Sequence, residues 1–158
     1  MEKFNVMGES MDRTIRGLLA GVIAGIVKDS WNLIDYYFLH ITEIRFLDWA
    51  AILATWSRPR NSLSTVFFLM LQILWDGFLG IIFAHLLISI TTRYLILKSI
   101  LFSLMLWFVF QIIVNLYRVP LLSGIQPQPG AISNVMAVIL WGVIMGLVLK
   151  KLDKPAKV

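Results

Sequence analysis

Long apolar runs, each carrying a narrow polar stripe, make up most of this chain. The first covers residues 16–36, RGLLAGVIAGIVKDSWNLIDY. With about 3.6 residues per turn, Gly17, Gly21, Gly25, Lys28, Asp29, Asn32, Asp35 and Tyr36 fall within an arc of roughly 120°. The opposite side carries Ile23, Ile26, Val27, Leu33, Ile34, Tyr37 and Phe38. Ser30 sits among them and can bond the carbonyl one turn back. The pattern predicts a span over residues 14–39 with a lipid face and a partner face. Gly17, Gly21 and Gly25, with Ala20 and Ala24 beside them, let a neighbouring backbone approach closely.

Three further spans follow from the same pattern, over residues 63–90, 94–119 and 131–149. In the second, Thr65, Gln72 and Asp76 share a face with Gly80, while His85 points the other way. In the third, Gln111, Asn115 and Arg118 recur at i, i+4 and i+7. The fourth has Asn134 near its start and the close-packing pair Gly142 and Gly146. Residues 120–130 are rich in proline and glycine and are expected to stay outside any helix. Between the first two spans, residues 42–57 are too short and too charged to cross a bilayer. Arg45, Asp48 and Thr55 form one stripe there, and Phe46, Trp49, Leu53 and Trp56 the other. An interfacial amphipathic helix is expected, with a partly re-entrant one as the alternative. A turn at Arg58, Pro59, Arg60 and Asn61 precedes the second span.

Composition fixes the class. Of 158 residues, 59% are hydrophobic, and the mean hydropathy is +0.82. A soluble domain of this size would lack the polar surface to cover itself. The expectation is an all-α polytopic membrane protein: a polar tail at 1–13, a four-span domain at 14–150 with its interfacial helix, and a basic tail at 151–158. Cysteine is absent, which removes disulfides and thiolate metal sites. No small-residue cleavage site follows the first apolar run, so it reads as a retained helix rather than a signal peptide.

Charge sets the threading. Lys3, Arg13, Arg16, Arg93, Lys98, Lys150, Lys151, Lys154 and Lys157 fall on one side; Arg45, Arg58, Arg60 and Arg118 fall on the other. The excess predicts both termini in the cytoplasm of a cell membrane. The basic balance is accounted for in this way, and no nucleic-acid recognition segment accompanies it.

Lys28 and Asp29 stand near the middle of the first span. Facing lipid, each would cost about 2.5–3.5 kcal/mol, so both must face protein or water. Lys28 is expected to pair with Asp76, which lies at a similar depth on an antiparallel neighbour. Asn32, Asp35, Gln72, Gln111, Asn115, Arg118 and Asn134 are expected to complete a buried polar cluster. Asp29, Asp35 and Asp76 outnumber Lys28 and Arg118 within it. A surplus carboxylate in low dielectric is expected to be protonated, solvated or bound to a cation. Either a structural network or a small pathway for a proton, cation or polar solute would look like this.

His40 and Glu43, with Asp48 nearby, fall short of the ligand set a metal site needs. No nucleophile–base pair, phosphate loop or zinc-protease motif occurs. Neither an enzyme nor a cofactor is expected. The partners expected are the bilayer and either another membrane protein or a second copy of this chain.

One resemblance spans residues 16–151. Tyr37, His40, Thr42 and Glu43 form a Y-x-x-H-x-T-E pattern at the end of the first span. A tryptophan-containing segment, three apolar spans and a proline-rich loop follow. The whole resembles the YqhR-type conserved membrane proteins, small four-helix proteins of Gram-positive bacteria. The resemblance implies four spans in a bacterial cell membrane and supplies no catalytic residues.

Overall fold

The computed structural model describes residues 12–87, 94–123 and 127–152. Most of the two polar tails, the last residues expected of the second span and Arg93 lie outside the described residues. Every regular element among those described is helical. The helices are α1 (Arg13–Ile34), α2 (Phe46–Thr55), α3 (Ser62–Leu86), α4 (Leu95–Leu116) and α5 (Gln128–Leu152). A wider π-helical turn, Asp35–Leu39, extends α1. Four of these segments are long and apolar enough to cross a membrane; α2 is the shorter apolar helix.

Small residues decide the order of packing. In α1, Gly17, Gly21 and Gly25 lie against Gly80, Gly77 and Asp76 of α3, which runs the opposite way. A Cβ on Gly80 would stand 2.8 Å from the Gly21 Cα, so a side chain there would force the helices apart. In α5, Gly142 and Gly146 pack on Ser103 and Ser99 of α4. The bundle therefore reads α3–α1–α5–α4, with α1 and α5 inside it. Ala20, Ala24, Phe83, Phe102, Trp141 and Met145 belong to the core on the side away from α2. The lipid face read from the first span is exposed, with Ile23, Ile26, Ile34 and Phe38 at 42–79%. Ser30 bonds the Ile26 carbonyl at 2.7 Å.

Helix ends follow local chemistry. Asn61 and Ser64 cap α3 reciprocally: the Asn61 side chain accepts from the Ser64 amide at 2.8 Å, and Ser64 Oγ accepts from the Asn61 amide at 3.3 Å. The fifth helix starts earlier than expected, at Gln128. Pro129 falls in its first turn, where no intrahelical amide donor is required.

The short helix is present, and its first turns are packed into the bundle. Phe46, Leu47, Asp48, Trp49, Ala51 and Ile52 are all buried, and α2 packs against α3. Arg45 and Asp48 of its polar stripe face inward because they satisfy each other, while Thr55 stays exposed. Asp48 Oδ2 accepts from the Arg45 backbone amide and Nε at 3.0 and 3.1 Å, and Oδ1 accepts from Nη2 at 2.7 Å. Trp56, in the left-handed region at φ 58°, ends the helix.

Candidate functional site: a buried charge cluster beside an apolar cavity

The cluster is built on the last turns of α1. Lys28 Nζ donates to both carboxylate oxygens of Asp76 at 2.7 Å, joining α1 to α3. The same ammonium lies 3.6 Å from Asp29 and 4.8 Å from the centre of the Phe46 ring. Both acids and the lysine are at most 5% exposed. Asp29 is held by that longer ion pair alone, since neither of its oxygens has a hydrogen-bond partner among the described residues.

One turn further on, Asn32 ties three helices together. Its Oδ1 accepts from the Phe46 amide, the first free donor of α2, at 2.7 Å. Its Nδ2 donates weakly, at 3.5 Å, to Asn134 Oδ1 of α5. Trp31 Nε1 donates to Ser133 Oγ of α5 at 3.2 Å. Asp35 is 1% exposed, and one of its oxygens has no hydrogen-bond partner among the described residues. Outside the spans, Arg45 also donates to Tyr37 Oη at 2.6 Å. Its hydrogen bonds to Asp48 raise its pKa above the ordinary value despite burial, so the guanidinium stays charged.

The third-span stripe does not join this cluster. Asn115 and Arg118 are exposed, and Gln111 is only half-buried. The rotation of α4 is set by Ser99 and Ser103 against the α5 glycines, which directs Gln111 and Asn115 away from α1. Asn115 Nδ2 donates to the Gln111 carbonyl one turn back. The helix also ends at Leu116, and Arg118 sits at φ 48°, so the i+7 relation fails there. Gln72 is half-buried one turn from Asp76 and lines the same cavity. His85 faces the start of α1, where its Nε2 lies 3.1 Å from Thr14 Oγ1. His40 and Glu43 are exposed, and no three metal-binding side chains converge among the described residues.

Periodicity did not reveal the space beside the ion pair. A cavity of about 750 Å³ lies between residues 71–79 of α3 and 103–113 of α4, with α2 across one end. Lys28, Gln72, Asp76 and Ser103 supply its few polar groups, and the rest is apolar and aromatic. Exposed Leu74, Trp75 and Val109 form its rim, so it opens on the flank that faces lipid. The tryptophans at 49, 75, 107 and 141 were the available sequence signal, but they lie on four different helices.

Fold and site together define a multi-pass helical membrane protein with a charged seam between its first and third helices. Compared with known proteins, the chain matches no family model, no curated protein and no solved structure.

Proposed function

We propose that this protein is a non-enzymatic interaction component of a bacterial cell membrane, of the YqhR type and with both termini cytoplasmic. The buried charges hold the bundle together, and the cavity between α3 and α4 receives an apolar occupant. One observation carries this reading: the Lys28–Asp76 pair is closed on itself and forms part of the wall of an apolar bay. A solute pathway requires polar groups along its length, whereas this cavity has them at few positions.

A second reading, proton or cation transfer, rests on Asp29, whose oxygens lack hydrogen-bond partners among the described residues. Flux in proteoliposomes separates the two. Wild-type protein under an imposed proton or monovalent-cation gradient is expected to leave a pH-sensitive or cation-sensitive dye unchanged. Flux that Asp29→Asn abolishes would replace the interaction reading with a transport one.

A further inference from the structure

The groove between α3 and α4 is stopped at both ends and open along one side. At one end α2 fills it. Leu47 and Ala51 pack in one apolar cluster with Phe68 of α3, and Trp49 and Ile52 pack in another with Val114 of α4. At the other end Phe83 of α3 and Phe102 of α4, both buried, meet with ring centroids 5.0 Å apart. The cavity lies between these two stops. Its walls, residues 71–79 and 103–113, run for about 12–15 Å at 1.5 Å per residue. Its mouth is the exposed rim of Leu74, Trp75 and Val109. The wall makes few polar demands. Lys28 and Asp76 bond each other, Ser103 Oγ donates to the Ile100 carbonyl at 2.8 Å, and Gln72 adds one amide.

We infer that the cavity holds the end of one acyl chain of a membrane phospholipid. The inference rests on the interaction reading above and names its apolar occupant. Three observations select a lipid chain over a partner helix. First, a helix crossing the bilayer needs about 20 residues, or roughly 30 Å of free groove. The stops formed by α2 and by the Phe83–Phe102 pair leave about half of that, whereas a flexible chain enters sideways through the rim. Second, the walls centre on Lys28 and Asp76, near the middle of α1 and α3. Phospholipid head groups stay at the interface, and only their chain ends reach that depth. Third, the lining is apolar and aromatic apart from four polar side chains, three of them engaged within the protein. A hydrocarbon chain leaves those bonds intact and adds no polar group that needs a partner. An unfilled apolar void forfeits dispersion contacts with its lining, and this one opens directly on hydrocarbon. The seated chain also keeps water from the Lys28–Asp76 pair.

The test is photo-crosslinking of the full-length protein in vesicles of phosphatidylglycerol, a small share of it carrying a diazirine near the end of one acyl chain. Labelled positions are read by mass spectrometry. Trp107 and Phe110, which line the cavity, should take about tenfold more label than Met145 of the closed core. Ala54→Trp and Val109→Trp each place a large ring in the lining. Each should lower the label at Trp107 about fivefold and leave exposed Phe108, which faces bulk lipid, labelled as in wild type. The inference is overturned if Trp107 takes no more label than Met145, or if both filling variants leave its label unchanged. A crosslink from Trp75→Cys to another protein or to a second copy, with Trp107 unlabelled by lipid, would remove this inference alone. Ion flux abolished by Asp29→Asn would remove the interaction reading beneath it.

Discussion

Lys28 meets its charge requirement through Asp76, 48 residues away in sequence and 2.7 Å away in space. Breaking a buried pair on one side leaves the other charge uncompensated, which costs about 3–5 kcal/mol. Lys28→Met should therefore destabilise the bundle by about that much. The double variant Lys28→Met with Asp76→Leu should recover much of the loss, because two apolar groups replace both charges. Unfolding in mixed micelles measures the cycle, and a double variant no more stable than Lys28→Met would argue against a dominant pair. At the same scale, Asn32→Leu leaves the Phe46 amide unpartnered beneath α2. A loss of about 1–3 kcal/mol is expected in the same unfolding measurement.

The helices are assembled by small residues more than by large ones. Gly21 packs directly on the backbone of Asp76 and Gly77. Gly21→Leu should separate α1 from α3 and strain the Lys28–Asp76 contact, with a loss above 3 kcal/mol or failure to accumulate in the membrane. Gly142 serves the α4–α5 seam in the same way, which leaves this glycine motif buried within the bundle rather than available to a second copy. Half of each contact was legible in the sequence. The spacing of Gly17, Gly21 and Gly25 identified a packing face, and Gly80 shared the Asp76 face expected to meet it, but Gly77 was not singled out. Gly142 and Gly146 were visible too, while Ser99 and Ser103, an equally regular small-residue pair, passed as ordinary span residues. A helix pattern shows that a face is small and leaves open which other small face it meets.

At the scale of the molecule, four apolar helices in the order α3–α1–α5–α4 leave α3 and α4 at the two ends of the row, and a cavity lies between them. The proposed threading places both termini on one side. Single cysteines at Asn61 and Lys150, in a chain with no natural cysteine, test it directly. A membrane-impermeant maleimide added to intact cells should label position 61 and leave position 150 unlabelled until the cells are opened. The reverse pattern would invert the threading.

Hydropathy and the 3.6-residue period determined the class, the four spans and the small-residue faces, because those properties depend only on neighbours along one helix. The same logic made Lys28 and Asp29 inward-facing, since no lipid-facing position accommodates them cheaply. The pairing of Lys28 with Asp76 followed from their matching depth on antiparallel spans; tertiary structure decided the rest. It paired Arg45 with Asp48 and packed the first turns of the short helix into the bundle. It excluded Asn115 and Arg118 from the cluster, because packing sets the rotation and end of α4. It also gathered tryptophans from different helices around one cavity. Depth and rotation relative to other helices are properties of the packed set, and no single stretch of sequence contains them.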